Sequence, residues 1–133
     1  MEKFLNLEIV SPEKKVFKGN VSAVTVPGES GEFQVLYNHA PIVSILEIGR
    51  VKVKKENNDE DIYAISGGVI EVNNNNVSVL AETIELSSEI DKKRAENALE
   101  KAEAKVLTKE DVETKEAVYD AIRRAKNRIK IAT

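Results

Sequence analysis

The sequence predicts an N-terminal β-sandwich or barrel of short antiparallel strands followed by a C-terminal antiparallel two-helix hairpin. Two observations carry this reading. Up to about residue 86 apolar residues recur at every second position between frequent turn signals, and from Ser87 onward glycine and proline are absent while Ala, Glu, Lys and Arg dominate. The first pattern is that of half-buried strands, the second that of helices. The chain therefore divides into a β domain, residues 1–86, and a helical hairpin, residues 87–133.

Alternation is visible at Leu5, Leu7 and Ile9, at Val51 and Val53, and at Val77 and Val79. Turn chemistry interrupts it at Ser11-Pro12, Gly19-Asn20, Pro27-Gly28, Asn57-Asn58-Asp59 and Gly67-Gly68. Strands this closely punctuated suit a sandwich or barrel. The run Asn73 to Asn76 lies between Val69-Ile70-Glu71-Val72 and Val77-Ser78-Val79-Leu80, which makes it a hairpin turn whose asparagines accept positive φ. Gly67-Gly68 is expected to bend the sheet.

In the second part Ser88 with Asp91, and Thr108 with Asp111, read as helix starts of the capping-box type. They predict helices over roughly 90–106 and 110–130, turned back on each other near Leu107–Lys109. The apolar positions are Ile90, Ala95, Ala98, Leu99, Ala102 and Val106 on the first, and Val112, Tyr119, Ile122, Ala125 and Ile129 on the second. Alanine lets the axes approach but buries little area, so the hairpin is expected to be only weakly self-sufficient.

Of the 133 residues 32% are charged and 41% hydrophobic, the balance of a folded soluble domain. Cysteine is absent, which excludes a disulfide framework and thiolate metal sites. No apolar run approaches the ~20 residues a membrane helix needs, and the start of the chain lacks a secretory leader pattern, so a cytoplasmic protein is expected. The net charge of −3 hides an asymmetry: residues 1–86 hold 8 Lys/Arg and 13 Asp/Glu, residues 87–133 hold 12 and 10. Arg123, Arg124, Lys126, Arg128 and Lys130 form a basic tip without an intervening acid, which suits an acidic or phosphate-bearing partner.

The stretch GESGEFQVLYNHAP, residues 28–41, holds two glycines, a tyrosine and the sole histidine, and invites a catalytic reading. His39 has no second histidine, cysteine or Gly-x-Ser-x-Gly elbow to work with. Its glycines lack the Lys-Ser/Thr ending and following helix of a phosphate loop. A turn is the better reading, and no catalytic residue is assigned.

On the helices, Asp91, Arg94 and Ala95 open the first, while Arg124 and Arg128 share a face of the second. Folding back about residues 107–109 brings these ends together, and two guanidiniums near one carboxylate make a positive pocket suited to a polyphosphate. A plain interhelical salt bridge fits the same residues. Arg123, Lys126 and Lys130 fit either a salt-sensitive contact with an acidic surface or a solvated helix end favoured by the helix dipole.

Gly28-Glu29-Ser30-Gly31-Glu32-Phe33, Asn38-His39-Ala40-Pro41, Ser66-Gly67-Gly68-Val69-Ile70-Glu71-Val72, Val77-Ser78-Val79-Leu80-Ala81-Glu82, Ile90-Asp91-Lys92-Lys93-Arg94-Ala95 and Arg124-Ala125-Lys126-Asn127-Arg128-Ile129 occur in one order across the β-to-α switch. In this the chain resembles the epsilon subunits of bacterial F-type ATP synthases over essentially its whole length. The resemblance implies a noncatalytic rotor subunit that couples ion flow to ATP synthesis and inhibits ATP hydrolysis through a mobile hairpin. It implies a sandwich bound to the gamma subunit, with Glu29, Ser30, Gly31, Glu32, Asn38, His39, Ala40 and Pro41 facing the c-subunit ring. It implies that Arg123, Lys126 and Lys130 brake the beta (and alpha) subunits when the hairpin is extended. It further implies that ATP, as a regulatory ligand rather than a required cofactor, is held by Glu85, Ile90, Asp91, Arg94, Ala95, Arg124 and Arg128. The expected location is peripheral, on the cytoplasmic face of the bacterial inner membrane, with no membrane insertion and no nucleic acid bound. The competing expectation is a free-standing ATP-sensing module outside any rotary complex.

Overall fold

The computed structural model describes residues 3–106 and 112–132, with side chains described throughout these except at 112–115. The chain forms two compact units, Met1–Leu86 and Ser87–Thr133. The first contains β1 (Leu5–Val10), β2 (Lys15–Gly28), β3 (Gly31–Leu36), β4 (Ile42–Lys55), β5 (Glu60–Asn73), β6 (Asn76–Ala81) and β7 (Ile84–Leu86). The second contains a 3-10 turn at Ser87–Glu89, then α1 (Lys92–Val106) and α2 (Val112–Ile131).

The strands run in the order β1-β6-β5-β4-β2-β3, and β1 also pairs with β2, so five of them close into a ring. Sandwich or barrel is the expected class, and a flattened ring is both. Two details differ from expectation. Strands β2, β4 and β5 have 14 residues each rather than being short, because each serves both layers and bends between them. The pairing of β1 with β6 is parallel, Leu7 beside Val77 and Ile9 beside Val79, while the other pairings are antiparallel. A parallel pair needs a long connection, and here the whole of β2 to β5 supplies it.

Period-two alternation places Leu5, Leu7, Ile9, Val51, Val53, Val77 and Val79 in the ring's interior with Ile65, Ile70 and Val72. All are fully buried or nearly so. Among the described residues every buried side chain that the core contains is apolar. Each such side chain stabilises the unit by about 1.5–3 kcal/mol relative to exposure, before conformational entropy is charged against it.

Long strands that change layers need defined corners. Strand β5 pairs with β7 through Tyr63–Ile65 and with β6 through Gly68–Asn73, so its neighbour changes at Ser66-Gly67-Gly68. Gly67 has φ of 127°, a conformation that side chains resist. A Cβ on Gly68 would stand 2.2 Å from the Leu80 carbonyl oxygen, so β6 can approach only a glycine. The β6–β7 link is fastened to this corner: the Thr83 hydroxyl donates to Ser66 Oγ at 2.6 Å, and the Glu82 amide donates to the Gly67 carbonyl at 2.9 Å.

The hairpin joining β5 to β6 is the expected asparagine turn. Asn73 pairs with Asn76, and the two residues between, Asn74 and Asn75, have φ of 50° and 64°, as a two-residue primed turn requires. Asn58 takes φ of 70° in the β4–β5 turn, where the Lys55 amide donates to the Asp59 carbonyl.

In the helical unit α1 and α2 pack against each other. Their connecting segment, with the expected turn at Leu107–Lys109 and the expected start at Thr108 and Asp111, lies outside the described residues. A link this short between packed helices makes them antiparallel. Among the described residues the buried positions are Ile90, Ala95, Ala102, Val118 and Ala125, and the side chain of Val112, expected in the stripe, lies outside them. Spacings of seven residues, Ala95 to Ala102 and Val118 to Ala125, keep one narrow stripe on each helix. Tyr119, expected in the stripe, is half exposed, and the adjacent Val118 is buried instead. A bulky phenol with a polar tip stays at the surface when an alanine-lined seam leaves little room. Ala98 is likewise exposed.

The start of α1 also differs from the sequence expectation. Asp91, not Ser88, is the N-cap: its Oδ1 accepts the Arg94 amide at 3.0 Å, and its carbonyl accepts the Ala95 amide. Ser88 lies in the preceding 3-10 turn. Asp91 thus satisfies one of the amides a helix start leaves open, and its charge complements the dipole.

Two outcomes follow. Gly68→Ala should lower unfolding stability by about 3 kcal/mol or more through overpacking against backbone, read as a fall in denaturation midpoint. Asp91→Ala should destabilise the helical unit by about 1 kcal/mol while Asp91→Asn restores it, read by helicity and by exchange of the Arg94 amide.

Candidate functional site

The sandwich offers two surfaces of note. The first is apolar. Cross-strand register aligns Val10 of β1, Leu80 of β6, Val69 of β5 and Ile45 of β4 in one row on the ring's outer face. Val43 lies two residues from Ile45 on the same face. Val43, Ile45 and Leu80 are 71%, 57% and 57% exposed, against a core exposed by a few per cent. Scattered apolar residues on a surface need no explanation, but a row across four strands does. Strict alternation should have made these positions polar. The signal is in the sequence, since Ile42-Val43, Ile45-Leu46 and Val79-Leu80-Ala81 are apolar in both phases of the strand.

The second surface borders β3, which pairs with β2 alone and so forms an edge. Glu29 and Ser30 make the two-residue turn between Gly28 and Gly31, where Gly31 takes φ of 124°. Asn38, His39, Ala40 and Pro41 lie beyond the other end of β3, about 20 Å away at strand rise. The expected ring-facing residues therefore do not gather at one tip. They flank the two ends of a single edge strand.

Glu32 on that strand accepts from Arg50 of β4 through both oxygens, Nε to Oε2 at 3.0 Å and a terminal nitrogen to Oε1 at 3.3 Å. This fork ties the edge strand to β4, and the Glu32 hydrogen bond, then its charge, raises the Arg50 pKa.

His39 closes a turn through its amide to the Leu36 carbonyl at 3.0 Å. Its Nδ1 lies 2.7 Å from the Ala40 carbonyl, which can only accept, so the proton resides on Nδ1. That is the geometry of a turn residue. The Tyr37 ring beside it lies 5.9 Å from Lys3 Nζ.

In the helical unit Asp91, Arg94 and Arg124 are exposed, Arg128 is half-buried, and Ile90 and Ala95 are buried. Glu85 belongs to β7 of the sandwich unit. Arg94 precedes Val106 by as many residues as Arg124 follows Val112, so antiparallel packing sets the two guanidiniums at similar heights along the pair. Each precedes a buried alanine, Ala95 and Ala125. Among the described residues Asp91 forms no ion pair. Its carboxylate is engaged by its own helix. The arrangement has the planar donors that grip phosphate oxygens, while the Asp91 carboxylate is turned to backbone.

Arg123, Lys126 and Lys130 recur at three and four residues and share a face next to that of Arg124 and Arg128. Arg123 is paired to Asp120 one turn back, and Lys126 and Lys130 are exposed. Among the described residues no helix is long and apolar enough to cross a membrane. No group of three or more His, Cys, Asp or Glu there could hold a metal ion.

Comparison with known proteins gives this surface its setting. Residues 4–87 match the family described as ATP synthase, Delta/Epsilon chain, beta-sandwich domain. The ATP synthase epsilon chain of Halalkalibacterium halodurans is 39% identical over 130 residues, 96% of each chain. That of Desulforamulus reducens is 38% identical over 132 residues, 99% of each. Among solved structures, a chain of the Euglena gracilis mitochondrial ATP synthase, described as OSCP/F1/c-ring in rotational state 1, superposes with a TM-score of 0.84 at 26% identity. The match covers 96% of this chain and 80% of that one. A chain of the Tetrahymena thermophila mitochondrial ATP synthase, central stalk and c-ring, shares the fold at a TM-score of 0.68 and 14% identity, over 96% of each. With a sandwich, a helical pair and whole-length relatives in agreement, the chain belongs to the ATP synthase delta/epsilon family, as an epsilon-type member.

Proposed function

We propose that the chain is a noncatalytic subunit of the central stalk of a rotary ATP synthase, peripheral at the cytoplasmic face of a bacterial membrane. The observation that carries this is the apolar row of Val10, Leu80, Val69 and Ile45 with Val43, on a sandwich whose family belongs to that machine. A free-standing sensor would gain nothing from such a row, whereas a subunit clamped to the gamma subunit buries it. Transmitting torque requires this contact to persist while the rotor turns, and water-excluding apolar contact does that irrespective of salt. The edge strand β3 with its flanking residues, Glu29 to Glu32 and Asn38 to Pro41, then faces the c ring.

The helical pair supports a regulatory role. Its buried stripe is largely alanine, so folded and extended placements differ by little free energy and a ligand or partner can choose between them. ATP held by Arg94, Arg124 and Arg128 favours the folded form through preference for that state. Arg123, Lys126 and Lys130 supply the electrostatic contact with the catalytic head in the extended form.

Ile45→Asp or Leu80→Asp, on an exposed face, should leave the fold intact and abolish co-purification with gamma. Retained co-purification would remove the basis of the stalk assignment. Deleting residues 87–133 should leave assembly and coupling in place and raise ATP hydrolysis by the complex, measured with the full-length chain as control. By calorimetry on the full chain, Arg124→Ala or Arg128→Ala should weaken ATP binding by about tenfold, as expected for loss of one charge-assisted contact.

A further inference from the structure

Among the features of the sandwich that its proposed docking does not use, the asparagines at one end stand out by their geometry. The connection Tyr37–Pro41 joins β3 to β4, which are not neighbours in the sheet. No ladder register fixes it. The Asn73–Asn76 turn, in contrast, is held by the β5–β6 ladder on both sides. It is also held by β1, since the Asn6 amide donates to the Asn75 carbonyl at 2.8 Å. The Asn75 side chain joins the connection to the hairpin. The Asn38 amide donates to Asn75 Oδ1 at 2.7 Å, and Asn75 Nδ2 donates to Asn38 Oδ1 at 3.2 Å. Both residues have positive φ, 65° and 64°, a conformation that glycine also accepts.

We propose that Asn75 is a positioning residue for the ring-facing turn: through its reciprocal amide pair with Asn38 it makes the Tyr37–Pro41 connection and the asparagine hairpin one docking body. This rests on the reading that Asn38 to Pro41 face the c ring. The pair acts beside two other contacts of this connection, the Lys3 ammonium near the Tyr37 ring and the Leu36 carbonyl that accepts the His39 amide. The tip of the hairpin, Asn74 and Asn75, then enlarges the surface offered to the ring. Neutral amides suit a docking surface, because they donate and accept without a charge to desolvate.

Asn→Gly substitutions separate the amide from the turn, since glycine keeps the positive φ and removes the side chain. In the full chain, N75G and N38G should each speed hydrogen exchange at residue 38 by about two- to tenfold, as for loss of one or two hydrogen bonds. Each should also shift the ring-proton signals of Tyr37 and His39, with the β5–β6 ladder amides unchanged. N75D keeps the acceptor for the residue 38 amide and should fall between. In the complete synthase each Gly variant should lower ATP-driven ion pumping per ATP hydrolysed by a similar fraction, and the double variant by no more than either single one. Additive losses, or unchanged exchange in N75G, would overturn the clasp. His39→Ala should leave exchange at residue 38 unchanged and still lower pumping. If it does not lower pumping, the ring-facing reading fails separately, and with it the functional half of this proposal.

Discussion

A β-strand has two edges and can hydrogen-bond at most two neighbours at any point, yet β5 serves β4, β6 and β7. The sandwich depends on how that limit is met. At Ser66-Gly67-Gly68 the strand changes partner without shifting its register against β4, because the β6 backbone comes within a distance that no Cβ would tolerate. Ring closure, the interior of Leu, Ile and Val, and the row on the outer face are all downstream of that corner. A glycine pair that looks like punctuation in the sequence is where two layers become one structure.

Much of this architecture is legible in the residues alone. Period-two alternation at Leu5-Leu7-Ile9, Val51-Val53 and Val77-Val79 identifies buried phases correctly, because a residue's phase depends on local backbone geometry. The asparagine hairpin is legible for the same reason. Strand lengths are not, since a bent strand of 14 residues and two short ones carry the same alternation. The parallel β1–β6 pair is also invisible, being a contact across most of the domain. Asp91 shows how a motif hides a role: the resemblance puts the residue in a nucleotide pattern, and its contacts in the structure are those of a cap. Helix phase is ambiguous at Tyr119 because residues one apart differ by only about 100° around the axis, and side-chain bulk decides between them.

The candidate site is legible in part for a physical reason as well. Charged residues at helical spacing announce themselves, so Arg124 and Arg128, and Arg123, Lys126 and Lys130, fall into groups by face from their spacing alone. The apolar row does not, because it is assembled across β1, β6, β5 and β4 from one or two residues each. Its only trace is excess: strand segments apolar on both sides of the pleat have one more face than a single core can cover.

Ring closure has a further consequence. An open sheet exposes a line of unpaired amides and carbonyls along each border, a template on which another copy can stack. Here closure leaves β3 and the three-residue β7 as the borders. β3 is six residues long, begins at a positive-φ glycine, and carries Glu32, whose carboxylate is held across β2 by Arg50 of β4. Short length and fixed charge are the means by which natural edges resist pairing. The sandwich is thereby protected from its own copies along the strand borders, even while its apolar row stays uncovered.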